Sequence, residues 1–518
     1  MTSTTTGIQF DLAQAAATPA VENGGGYTIP KRSVASRQDD NDWHESTLTT
    51  ISSSMDHNTK SHLHQHKEYM HKEETEVEHA PDERTLRPDD DYYNDTTKQP
   101  EAYYTEGLKN PGWLTVLGTF LLNIYTWGVV SSWGVFQVLY LKVYAGQTDE
   151  ARISFVGTSA NAIILALGLV GTPIIQRFHY RGTIFIGAVI CCPLSQLLAS
   201  FATELWEVFL TLGCMFGFGA GLCYIASSTL PSQWFFRRRG LASGIASCGA
   251  CVGPMVFSPL TQSLITNMGY RNALRVLAAI GFATCCLGVV LIRPRYPPPS
   301  SSSSSLESEK QKQSKWWQRI LSLDRAMFTW EYNFYLLHSF LSTFGYLPPF
   351  ILAQTYASEL GADPAFAAIF VSILEAGNGS SRIIFGWLGD QWLGRINVLF
   401  LTTLVSGIFT SVIWQNAITI HIFVIYCVLF GFTGGVFSGL QPVISAEIVG
   451  VDRIQEGVGV SYFLSLFGIL TGTPIMGSLH LHYGWTAAIQ FTGAMTIASA
   501  MAVLGTRFLM NKRLLAKV

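Results

Sequence analysis

The chain has 518 residues, 48% of them hydrophobic and 13% charged, whereas an average soluble domain is about a quarter charged. A net charge of −2 leaves no basic footprint for nucleic acid. All nine cysteines sit in apolar runs, and Cys248-x-x-Cys251 has no second pair, so buried packing accounts for them better than a metal site.

Residues 1–108 are polar and lack aliphatic periodicity, which predicts a disordered cytoplasmic tail. His57, His62, His64, His66 and His71 follow no fixed ligand spacing and read as a solvated face rather than a metal centre. The sequon at Asn94 would go unused in the cytosol. No basic segment precedes an apolar core at the N-terminus, so no cleaved secretory signal is expected.

Apolar runs of about 20 residues are long enough to cross a bilayer as helices. Six such spans fall at 113–140, 153–176, 182–201, 206–230, 240–264 and 271–292, and six more at 328–354, 365–388, 396–415, 417–441, 456–478 and 485–508. Between the sets, residues 293–327 carry prolines, a serine run and charges, the composition of a cytoplasmic linker. The expected architecture is an all-α membrane protein of twelve transmembrane helices in two pseudo-symmetric six-helix bundles, 109–292 and 328–508, with a short cytoplasmic tail at 509–518.

The halves echo each other. Gly213, Gly217 and Gly221 match Gly431, Gly435 and Gly439 at a constant offset of 218. Gly249, Gly253 and Pro254 resemble Gly468, Gly472 and Pro474. Such a series points to a duplicated six-helix unit, in which small residues line helix contacts. Loops on one side carry Arg177, Arg181, Arg237 to Arg239, Arg293 to Arg319, Arg395 and Arg453, and the last tail adds Lys512, Arg513 and Lys517. The other side carries Asp149, Glu150, Glu204, Glu207, Glu359 and Asp363. The positive-inside rule then sets both termini in the cytoplasm.

In the eighth span Glu375 and Arg382 are seven residues apart, close to two helical turns, and share a face. A charge near the bilayer centre costs about 2.5–3.5 kcal/mol on insertion scales and should face a cavity or a partner. Arg382 then attracts an anionic cargo group, and Glu375 carries a proton or binds cargo; a Glu–Arg brace or a part in the gate below is the competing structural role. Asn123, Tyr125, Asn161 and His338 are polar groups inside spans, each able to hydrogen-bond cargo and each equally suited to join helices.

The eighth span ends Gly386-Trp-Leu-Gly-Asp390-Gln-Trp-Leu-Gly394-Arg395. This run, with the twelve spans and the polar linker, resembles the major facilitator superfamily, which implies that Gly386, Asp390, Gly394 and Arg395 form a cytoplasmic gate. The first-half equivalent, Gly171 to Arg181, is degenerate, with Gln176 in place of the usual aspartate and Arg177 after it. Gly112-Trp113, Trp234 to Gly249, Gly345-Tyr-Leu-Pro-Pro349 and Gly472 to Gly477 are similar to the monocarboxylate porter branch, its fungal members above all. Animal members bear a lysine where this chain has Ser131 and an aspartate where it has Asn378, while Arg382 matches. Gly240, Gly249, Gly253 and Pro254 partly match a drug-antiporter motif, with Phe257 and Ser258 where glycines should follow, so export stays open.

The expected function is therefore a secondary active transporter of a small organic solute, a carboxylate among the candidates, working by alternating access with protons as a candidate coupling ion. Efflux of a fungal secondary metabolite is one alternative; a non-transporting nutrient sensor signalling through the N-terminal tail is another. The plasma membrane is the expected location, membrane lipid the surroundings, and no cofactor or nucleic acid is called for. No Walker pattern, zinc-ligand motif or nucleophile elbow is present, which argues against an ATP-driven pump and an enzyme.

Overall fold

The computed structural model describes residues 107, 109–144, 150–296 and 327–511. The N-terminal tail with its histidines and sequon, Asp149, most of the linker and Lys512, Arg513 and Lys517 lie outside the described residues.

Nine helical stretches among the described residues are long and apolar enough to cross a membrane. Two of them, Arg152–Ala199 and Ile454–Met510, are pairs of helices, each folded at one non-helical residue, His179 and Gly484. Pro364–Leu388 brings the crossings to twelve. They are α1 (Gly112–Val143), α2 (150–178), α3 (180–199), α4 (Leu205–Trp234), α5 (Arg239–Met268) and α6 (Tyr270–Leu291). The second half follows as α7 (Trp330–Glu359), α8 (Pro364–Leu388), α9 (Arg395–Trp414), α10 (Ile420–Val449), α11 (454–483) and α12 (485–510). A helix of 30 residues such as α7 is about 45 Å long, longer than the ~30 Å hydrocarbon core.

Several helices outrun the apolar stretch that announces them. The tenth span, expected to stop at 441, continues to Val449, and the seventh, expected to stop at 354, continues to Glu359. Hydropathy ends where polar residues begin, but Glu447 and Glu359 find partners in neighbouring helices and the backbone stays helical. Among the described residues, six of the connections between crossings contain a residue of positive φ. Gly394 (φ 82°) turns α8 into α9, and its counterpart between α2 and α3 is His179 (φ 61°), the one non-glycine in that region among the described residues.

The two sets of six repeat the same packing. Gly249 of α5 meets the Phe120 carbonyl and Asn123 of α1, and Gly468 of α11 meets the Phe340 carbonyl and Thr343 of α7. Gly217 and Gly221 of α4 lie on Ala160 and Ile164 of α2, as Gly435 and Gly439 of α10 lie on Asn378 and Arg382 of α8. Side chains at these positions would drive the helices apart, which is why glycine recurs at a fixed offset. Apolar residues inside the spans, such as Phe282 of α6 and Met501 of α12, each 54% exposed, cover the outside, as a lipid-facing surface requires.

Candidate functional site

The site lies where α5 of the first half runs against α8 of the second. On α5, Gly240, Gly244, Ser247 and Cys251 recur every three or four residues and share a face; on α8, Glu375, Asn378, Arg382 and Gly386 do the same. Glycines bring the backbones together. A Cβ on Gly240 would sit 2.7 Å from the Gly386 carbonyl oxygen, and one on Gly244 would strike the Arg382 carbonyl.

At mid-span this contact holds a buried polar cluster. Arg382 is 6% exposed. Its Nη1 donates to the Ser247 carbonyl across the halves at 2.8 Å, its Nε to Asn378 Oδ1 at 3.1 Å and its Nη2 to Tyr346 Oη of α7 at 3.3 Å. Asn378 Nδ2 donates to Tyr346 Oη at 2.8 Å and to Glu375 Oε2 at 3.3 Å. The Cys251 thiol of α5 also lies against Glu375. Gly435 of α10 leaves the room that the Asn378 side chain occupies. Among the described residues no carboxylate comes within ion-pair distance of Arg382; every bond it makes is to a neutral oxygen. Aromatic rings from both halves flank the cluster. Tyr224 of α4 stacks on Tyr462 of α11 with centroids 5.0 Å apart, and Trp127 of α1 meets Tyr224 edge-on. Tyr346 packs against Phe350 and Phe437.

A second cluster closes the end of the bundle where α1 starts and α12 finishes. Asp390, just past α8, accepts the backbone N–H groups of Gly240 and Leu241 at 2.9 and 2.8 Å, so a carboxylate caps the positive N-terminus of α5. Arg395 donates from Nε to Asp390 at 2.7 Å, pairs through Nη1 with Glu447 of α10, and reaches the Phe236 carbonyl at 2.8 Å. Burial pushes the Asp390 carboxyl up from its ordinary pKa, while Arg395 and the two amides pull it down.

The remaining candidates are elsewhere. Asn123 Nδ2 donates to the Ala246 carbonyl at 2.9 Å, joining α1 to α5 inside one half. His338 Nδ1 shares a hydrogen bond with Ser499 Oγ, joining α7 to α12. Asn161 bonds the Gly157 carbonyl of its own helix, and Tyr125 bonds Gln196 of α3. Ser131 is exposed where α1 bends at Ser132. None of these joins the Arg382 cluster. Gln176 and Arg177 are exposed, and alignment on the turn residues His179 and Gly394 corrects the register: Ile175, fully buried, stands where Asp390 does, so this position offers no carboxylate. Tyr346, Ser247, Cys251 and Glu447 were not singled out from the sequence. Tyr346 lies inside a quoted family motif, whereas Ser247 contributes only a backbone carbonyl, which sequence does not mark.

The sequence model described as the Major Facilitator Superfamily matches residues 113–354 and 334–516. A rat protein named monocarboxylate transporter 13 is 29% identical over 393 residues, covering 75% of this chain and 87% of the relative. The MFS-type transporter hasB of Aspergillus fumigatus is 28% identical over 401 residues, covering 76% and 87%. Among solved structures, the transporter FucP in its outward conformation superposes with a TM-score of 0.57 at 15% identity, covering 75% of this chain and 97% of FucP. The human organic anion transporter MFSD10 gives 0.58 at 11% identity, covering 76% and 99%. Family, fold and relatives agree on a multi-pass secondary transporter rather than an enzyme, and the chain belongs to the Major Facilitator Superfamily.

Proposed function

We propose that this transporter carries a small organic anion whose carboxylate is received by Arg382, with Glu375 as the proton carrier that couples transport to a pH gradient. One observation carries the reading: a guanidinium buried between the halves with, among the described residues, no carboxylate within ion-pair distance. Its planar fork suits a carboxylate, and a cargo anion would bring a countercharge into the direct contact from which Asn378 holds Glu375 away. The rings of Trp127, Tyr224, Tyr462 and Tyr346 favour a flat apolar body behind that carboxylate. Alternating access then amounts to parting α5 from α8. Asp390, Arg395 and Glu447 act as the gate at one end, closed in this structure. Arg177, Arg181 and Arg237 at that end support a cytoplasmic face.

The test is uptake of labelled benzoate and lactate into proteoliposomes with an imposed pH gradient. Arg382→Lys keeps the charge and loses the fork. Uptake by the variant is expected to fall by tenfold or more, about one charge-assisted hydrogen bond. Undiminished uptake through Arg382→Lys, or no uptake of either acid by the parent protein, overturns the assignment.

A further inference from the structure

The two contacts between halves are related by the pseudo-two-fold: α5 against α8, and α11 against α2. The N-termini of α5 and α11 correspond residue by residue. Arg238 and Arg453 stand in the same N-cap conformation (φ −106° and −111°), so Gly240 corresponds to Gln455 and Gly244 to Gly459. Backbone approach is conserved between the two contacts, because Gly459 meets Gly168 of α2 as Gly244 meets Arg382. The latch is not conserved. Gly240 offers its N–H to Asp390, whereas the corresponding α2 position is Ile175, which has nothing to offer.

Gln455 fills that gap from the opposite helix. It is 1% exposed. Its Nε2 donates to the Ile225 carbonyl of α4 at 2.8 Å, and its Oε1 accepts from Thr229 Oγ1 at 2.8 Å. The amide thus spans the two halves, using both of its ends, near the gate end of α4. Ile225 and Thr229 are one turn apart, so one side chain grips a full turn of the facing helix. Parting of the halves would break both bonds, and a buried amide gains from them only while the contact is closed.

We infer that Gln455 and Thr229 form a neutral second latch, the counterpart of the charged latch at Asp390, and that closure of the gate needs both. Gln455 is a positioning residue: it touches no cargo and acts by favouring the closed state. The inference rests on the alternating-access reading above.

The experiment measures spin-label distances between cysteines introduced at the exposed positions Gln176 and Trp392, which lie at the gate end on opposite halves. Gln455→Leu is expected to raise the fraction of long distances about tenfold, the loss of two buried neutral hydrogen bonds. Thr229→Val, which removes one bond and keeps the shape, is expected to give a smaller shift in the same direction and guards against a misfolded Gln455 variant. Asp390→Asn serves as the charged-latch reference. If Asp390→Asn lengthens the distances while both neutral-latch variants leave them unchanged, the neutral latch is wrong and the gate reading survives, even where melting temperature falls. If Asp390→Asn also leaves them unchanged, the gate reading fails and takes this inference with it.

Discussion

Asn378 uses both ends of its amide. It donates to Tyr346 and Glu375 and accepts from Arg382, so it stands between the acid and the base without neutralising either. An aspartate there would pair with Arg382 directly, so the neutral amide is what leaves the guanidinium available for the anion of the proposed function. Glu375 lies on the same face one turn earlier and meets Cys251 of the facing half, so its protonation state bears on the contact that must part. Replacing Glu375 with Gln keeps the shape and the acceptor oxygen but removes the titratable proton. Uptake driven by a pH gradient is expected to vanish while exchange of labelled for unlabelled cargo persists; pH-driven accumulation by the variant would remove Glu375 from coupling.

α5 and α8 work as a pair because each presents one face of small residues. Gly244 lies directly on the Arg382 carbonyl, so its lack of a side chain sets the height of Arg382 against Ser247. Gly244→Leu is expected to hold the helices apart, breaking the bond from Arg382 to the Ser247 carbonyl and lowering transport by at least tenfold while the protein still folds. Wild-type transport rates in that variant would mean that the cross-half bond is dispensable. Gly249 and Gly253 of α5 were visible in the sequence as part of a repeating series, because close helix packing leaves a compositional mark at fixed spacing, whereas Gly244 was not in that series. Which helix each one faces was not visible, since that depends on how the halves are set against each other.

The whole molecule is symmetric in backbone and asymmetric in charge. The α8 face that meets the other half carries Glu375, Asn378 and Arg382, with Asp390 just beyond it; where α2 meets α11 the close contact is Gly168 on Gly459, and Ile175 stands in place of Asp390. The buried Arg382 cluster and the Asp390–Arg395–Glu447 network both lie along the α5–α8 contact, and the other contact holds close glycines, stacked tyrosines and Gln455. Arg395 is the hub of the charged side, joining Asp390, Glu447 and the Phe236 carbonyl. Arg395→Ala would leave two carboxylates without their shared cation, and breaking such a partly buried network costs about 3–5 kcal/mol. The gate end is expected to open in most molecules, seen as faster labelling, from that side, of a cysteine replacing Ser247 in the cluster behind the gate by a hydrophilic thiol reagent. Unchanged labelling would show that the ion pairs do not hold the gate.

The sequence by itself determined the number of crossings, the duplication and the positions of Arg382, Glu375 and Asp390, because apolar length, glycine periodicity and charges inside apolar runs are local properties of the chain. It led to a different register at Gln176, since a degenerate loop is aligned correctly only by its backbone turn at His179. Only the tertiary structure decided that Arg382 bonds a carbonyl on the other half, that His338 and Asn123 tie helices within their own halves, and that Gln455 crosses to α4. Those partners lie 123 to 230 residues away in sequence, and several are backbone carbonyls that every residue type possesses, so no pattern along the chain marks them.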